Sequence, residues 1–131
     1  MTSARLEHIN ITVPDAYKKA AMLSDLFGWH IRWQGEVMDG AGKSIHVGSE
    51  DDYIALYSPN AGVREKEPTS YTATGGALNH IALVVDDLDL VEAKVKKAGY
   101  RPKNAANYEP GRRFYFFDED GIEFEVVSYT S

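Results

Sequence analysis

The chain contains no cysteine. Disulfides and thiolate metal sites are therefore excluded. No apolar run approaches the ~20 residues that a membrane-spanning helix needs. Positive charge is also scarce. The 14 Lys and Arg stand against 20 Asp and Glu, for a net charge of −6, and the basic residues gather only as Lys18-Lys19, Lys96-Lys97 and Arg112-Arg113. Counterion release on nucleic acid needs a basic stripe, and none is visible. The N-terminal Met1-Thr2-Ser3-Ala4-Arg5 carries no signal-peptide pattern, so a cytoplasmic location is expected. What remains is ordinary for a globular protein: 131 residues, 44% apolar and 26% charged, enough for one domain with a true core.

Within that composition the chain says one thing twice. Leu6-Glu7-His8-Ile9-Asn10-Ile11-Thr12-Val13-Pro14-Asp15 returns as Leu78-Asn79-His80-Ile81-Ala82-Leu83-Val84-Val85-Asp86-Asp87. Each copy is followed by a helical pattern that ends in glycine and an aromatic: Gly28-Trp29, then Gly99-Tyr100. Strict alternation over 5–13 predicts a strand. A helix follows over 16–27, with Ala16, Ala20, Leu23 and Phe27 on one stripe, Asp15 as N-cap and Gly28 as the left-handed stop. Strands are expected at 29–34, 43–48 and 52–58. The second half repeats the plan. It has a strand at 78–85 and a helix over 88–98, capped by Asp87, striped by Leu88, Val91 and Val95 and closed by Gly99. Strands near 100–104, 112–118 and 122–129 follow, the last two joined by the turn Asp118-Glu119-Asp120-Gly121. Each half is thus β-α-β-β-β. The expected division is a first module at 4–58, a Pro- and Gly-bearing linker at 59–76 and a second module at 77–131, together one domain over 1–131.

The repeat places one histidine at the same point of each half. Followed to its last strand, it aligns Ala55 with Glu125. Two neutral imidazoles and one carboxylate, His8, His80 and Glu125, suit a divalent ion and leave coordination positions open. A lone strand histidine is ordinarily a packed or solvated residue. Two at one repeat position, with a carboxylate at a third, form a pattern. His30 and His46 have no repeat partner and read as ordinary strand residues. Alternation then selects the neighbourhood. Asn10 shares the face of His8, Tyr57 that of Ala55, and Arg113, Tyr115 and Phe117 share one face of their strand. Phe114 and Phe116 fall to the core. The pocket so defined is aromatic with one cation, suited to a small planar or anionic substrate, with Asn10, Tyr57, Arg113 and Tyr115 as its contacts.

The start pattern Leu-x-His-Ile, the segment Leu78–Asp86 and the run Phe114-Tyr115-Phe116-Phe117-Asp118-Glu119-Asp120-Gly121-Ile122-Glu123-Phe124-Glu125 resemble the vicinal oxygen chelate superfamily. That group holds glyoxalase I, bleomycin-resistance proteins, fosfomycin-resistance transferases, methylmalonyl-CoA epimerases and extradiol dioxygenases. The resemblance covers nearly the whole chain. It implies an α+β fold of two tandem βαβββ modules that form a curved mixed β-sheet cup. It also implies one divalent metal ion per site (Fe, Mn, Zn, Ni or Co) on His8, His80 and Glu125. Short members commonly pair as homodimers, each site taking one module from each chain, and the exposed sheet edges expected here agree. Departures narrow the reaction. Glyoxalase I and the epimerases carry a fourth ligand where Ala55 stands. Three-ligand transferases and dioxygenases fit better, and Tyr115 matches a tyrosine that both place near the metal as a proton donor or acceptor. Against the transferases, Asn10 stands for their usual threonine and no basic tail follows the last strand. Against the dioxygenases, Glu119 replaces a proline and Asn107 or Tyr108 a histidine. The expectation is a metal-dependent lyase, dioxygenase or transferase acting on a small oxygen-rich molecule. The competing one is a non-catalytic protein that sequesters an antibiotic, as bleomycin-resistance proteins do.

Overall fold

The structure is a computed structural model in which residues 5–63, 78–108 and 111–130 are described. The chain divides into two compact units, 1–64 and 65–131. Each is a βαβββ module, so the architecture is α+β.

In the first unit β1 (His8–Thr12), α1 (Ala16–Phe27), β2 (His30–Val37), β3 (Gly42–Gly48) and β4 (Tyr53–Pro59) follow in order. The strands form one sheet, ordered β1-β4-β3-β2, with β1 parallel to β4 and the remaining pairs antiparallel. Helix α1 starts where Asp15 accepts the Lys18 amide at 3.0 Å, and stops at Gly28, whose φ of +71° a side chain would oppose. Its buried stripe is Ala16, Lys19, Ala20, Met22, Leu23 and Leu26. Two expectations are corrected here. Phe27 is only half-buried, and Lys19, at 1% exposure, takes a core place that the apolar periodicity did not assign to it. Ile45, Val47, Ile54 and Leu56 face the helix, and full burial of each such side chain is worth about 1.5–3 kcal/mol.

Strand β2 reaches Val37, beyond the expected 34. It closes on β3 through Met38 and Asp39, both at left-handed φ (55° and 54°). It also contains a bulge. Ile31 pairs with Val47 but Trp33 with His46, so Arg32 is the extra residue and Trp33 turns to the face away from α1.

The second unit repeats the plan with β5 (Ile81–Val84), α2 (Leu88–Lys97), β6 (Lys103–Tyr108), β7 (Gly111–Phe117) and β8 (Glu123–Ser128), sheet order β5-β8-β7-β6. Asp87 caps α2 through the Leu90 amide at 3.0 Å, Leu88, Val91 and Val95 are its buried stripe, and Gly99 closes it at φ +99°. Strand β6 starts at Lys103, later than expected from sequence. In the turn before β8, the Asp118 carboxylate accepts the amides of Asp120 (2.9 Å) and Ile122 (3.0 Å), and Gly121 takes φ +78°. Phe114, Phe116 and Phe124 fill the core at 1% exposure or less. Of the segment read as a linker, Pro59 belongs to β4 and 64–76 lies outside the described residues.

Candidate metal and substrate site

Sheet register settles which residues are equivalent. Asn10 pairs with Ala55 in the first unit, and Ala82, its repeat partner, pairs with Glu125 in the second. Ala55 therefore occupies the place of Glu125, as the sequence repeat implied. The next strand extends the match: Ala55 also pairs with His46, and Glu125 with Tyr115. His46 thus has a repeat partner, Tyr115, which corrects the reading that it has none. His30 remains an exposed strand residue near Glu50.

The second unit brings four of the selected side chains together. The Nε2 atom of His80 stands 3.0 Å from Oε1 of Glu125. Arg113, two residues from Tyr115 and on its face, reaches back to donate from Nη1 to Oε2 of Glu125 at 2.9 Å. The Tyr115 ring meets the His80 ring edge-on, with centroids 5.8 Å apart and planes at 85°. Glu125 and Arg113 are nearly enclosed, their side chains 9% and 12% exposed. Arg113 therefore acts on a carboxylate of its own sheet in this arrangement. Beside this group, Lys103 pairs with the buried Glu123 at 3.4 Å and lies 4.1 Å from the centre of the Phe117 ring.

In the first unit His8 is half-open to solvent and sits beside Tyr53 rather than a carboxylate of β4. Its Nδ1 donates to Glu7 Oε1 at 2.8 Å, and the Tyr53 hydroxyl reaches the same oxygen at 3.5 Å. The hydrogen bond from His8 chiefly holds the Glu7 carboxyl below its usual range; desolvation opposes it, and Tyr53 and Arg32 add to the lowering. Asn10 is exposed on this face, and Tyr57 is half-buried over Gly42, where a Cβ would come within 2.6 Å of the ring. Trp33, His46 and Tyr53 crowd the same face. Sequence reasoning missed them as site residues. The pairing of His46 with Ala55 was readable from the repeat, but the bulge that turns Trp33 was not.

The donor chemistry fits a divalent ion. His8 and His80 both spend Nδ1 on the residue before them, Glu7 at 2.8 Å and Asn79 at 2.7 Å, so that Nε2 of each is the nitrogen that could ligate an ion. Nε2 of His80 and Oε1 of Glu125 face one another at ion-pair distance, and both are atom types that a divalent ion accepts as ligands. Donors on adjacent positions of an octahedral ion with bonds of about 2.1 Å stand about 3 Å apart, which matches the observed pair. Among the described residues no three His, Asp or Glu side chains group as a metal site. The second unit brings two of the three candidate ligands together, and the first holds the third.

A family model matches this chain. The chain belongs to the Glyoxalase/Bleomycin resistance protein/Dioxygenase superfamily, whose model covers residues 5–126. Solved structures agree on the fold. A glyoxylase/bleomycin resistance protein/dioxygenase domain from Frankia sp. EAN1pec is 20% identical with a TM-score of 0.78, over 97% of this chain and 93% of that one. The fosfomycin resistance protein FosX from Mesorhizobium loti is 23% identical (TM-score 0.72, 96% and 92% covered). FosX from Listeria monocytogenes, complexed with Mn(II) and sulfate, is 22% identical (TM-score 0.73, 97% and 93% covered). No curated protein sequence matches the chain. The fold is therefore glyoxalase-like and the chain is a vicinal oxygen chelate member. No helix among the described residues is long and apolar enough to cross a membrane.

Proposed function

We propose that this protein is a divalent-metal-dependent enzyme, a lyase, dioxygenase or transferase, which acts on a small oxygen-rich molecule. His8, His80 and Glu125 are its metal ligands. The single observation that carries the reading is the 3.0 Å approach of His80 Nε2 to Glu125 Oε1. It is supported by the matching Nδ1 anchors of the two histidines and by the Mn(II) of the Listeria relative. A divalent ion there would polarise adjacent substrate oxygens and stabilise negative charge as it develops.

The chain's own residues do the rest. Asn79 and Glu7 fix the imidazole orientations. Arg113 holds Oε2 of Glu125, so that Oε1 is the oxygen presented beside His80. Tyr115, edge-on to His80, donates or takes a proton at its phenol oxygen. Asn10 and Tyr57 contact the substrate from the first module, and Arg113 does so from beside Glu125 in the second. Because Ala55 carries no ligand, the position filled by a fourth side chain in glyoxalase I is left to substrate or water. The whole of 1–131 acts as one two-module domain, in a cytoplasmic homodimer.

Purification without chelators, followed by elemental analysis, tests this. One ion per chain is expected in the wild type, with loss in His8→Ala and in His80→Ala. Unchanged stoichiometry in both variants would sink it. A second reading is favoured by the clustered rings of the first module: a binder that sequesters an aromatic drug-like molecule without chemistry. Thermal stabilisation by aromatic compounds and none by divalent ions would select it.

A further inference from the structure

Four rings run across the His8 face of the first sheet. Ring centroids are 5.1 Å apart between Trp33 and His46, 4.6 Å between His46 and Tyr53, and 4.8 Å between Tyr53 and His8. The last two contacts are stacked, with planes 22° and 12° apart. Two local devices build the far end of the series. The bulge at Arg32 turns Trp33 onto this face, since without it Trp33 would point toward α1. Gly35 then supplies the floor: a Cβ there would come 2.9 Å from the Cη2 and Cζ2 atoms of Trp33, so the indole rests against bare backbone. Although held, Trp33 is still 47% exposed. Arg32, over the Tyr53 ring at 4.6 Å, sets a guanidinium at the edge of the series.

A tryptophan fixed on a glycine floor, one end of a ring series whose other end is His8, is suited to receive another flat ring. Resting on the reading of His8 as a ligand, we propose that Trp33, His46 and Tyr53 form a stacking subsite. It takes a planar aromatic group carried by the substrate that chelates the metal. An aliphatic substrate would leave the exposed indole uncovered, and a purely anionic one would use Arg32 alone.

The two tryptophans of the chain are Trp29 and Trp33, so Trp29→Phe leaves Trp33 as the only indole reporter. Two probes are titrated into metal-free and Mn(II)-loaded protein. One is 2,3-dihydroxynaphthalene, with adjacent oxygens on a flat ring. The other is acetohydroxamate, a two-oxygen chelator without a ring. The naphthalene diol is expected to quench Trp33, and acetohydroxamate is not. Trp33→Ala should weaken the diol about tenfold, the scale of one lost stacking contact, with Mn(II) affinity unchanged, and Trp33→Phe should recover most of it. Gly35→Val, which removes the floor while keeping the indole, should weaken it as well. Equal diol affinity in wild type and Trp33→Ala overturns the subsite. So does conversion of a dimer to monomers by Trp33→Ala at unchanged diol affinity, because the face is then a subunit interface. Absence of Mn(II) binding in every form rejects the metal reading alone, and quenching of Trp33 in the metal-free protein then still decides the subsite.

Discussion

Ala55 and Glu125 occupy equivalent places in two sheets that differ there by a carboxylate. Ala55 is 2% exposed and lies between Asn10 and His46 on the face of His8. A glutamate at that point without an ion is an uncompensated buried charge, worth about 3–5 kcal/mol against the fold. With an ion held by His8, His80 and Glu125 it would be a fourth ligand. Ala55→Glu is therefore expected to lower the thermal midpoint of the metal-free protein, to regain it on adding Mn(II), and to bind Mn(II) more tightly than wild type. A lowered midpoint with no gain in affinity would show that position 55 is remote from the metal. Tyr100 gives a second residue-level test. Burial first, and then its 2.5 Å hydrogen bond to Glu119, push its phenol well above the ordinary value of 10.0. The folded state keeps the proton that the unfolded chain loses, so this contribution is whole below pH 10 and fades as pH rises above it. In urea unfolding the stability gap between wild type and Tyr100→Phe should be larger at pH 8 than at pH 11. A gap independent of pH contradicts the assignment.

At the scale of elements, the helices were legible because their signals are local. Asp15 and Asp87 stand three residues before the amides they accept, and Gly28 and Gly99 follow the last turn. Asp15→Ala should cost about 1 kcal/mol of unfolding free energy, and Gly28→Ala about 1–2 kcal/mol for the left-handed backbone, both read from denaturant midpoints at constant slope. A change within ±0.3 kcal/mol for either would mean that the end of α1 is held by packing instead. Strand faces were legible only where register is unbroken. His8, Glu125, Arg113 and Tyr115 lie as alternation placed them, because β1, β4, β7 and β8 pair without a slip. The face of Trp33 is not legible in this way, because one bulged residue reverses every face beyond it, and no residue type at Ile31-Arg32-Trp33 announces the bulge. Lys19 escaped for another reason: periodicity assigns a lysine to solvent, whereas tertiary surroundings decide where its long side chain ends.

At the scale of the molecule, the repeat divides the candidate ligands unequally between two units, one histidine against a histidine and a glutamate. If each site takes one module from each of two chains, damaged chains can repair one another. His8→Ala and His80→Ala, each unable to bind Mn(II), should on mixing and subunit exchange regain about a quarter of the wild-type sites, since half of the dimers are mixed and each holds one intact site. No recovery in a sample that has exchanged subunits would place each site within a single chain. The central claim, that Glu125 and the two histidines hold a divalent ion, is met most directly by calorimetric titration of Mn(II) into wild type and Glu125→Gln. The amide keeps the shape of the side chain and a donor and acceptor toward its neighbours, and removes the charge. One ion per wild-type chain is expected, with an affinity at least about a hundredfold weaker in the variant and circular dichroism unchanged; equal stoichiometry and affinity in both proteins would rule out an ion on these three residues.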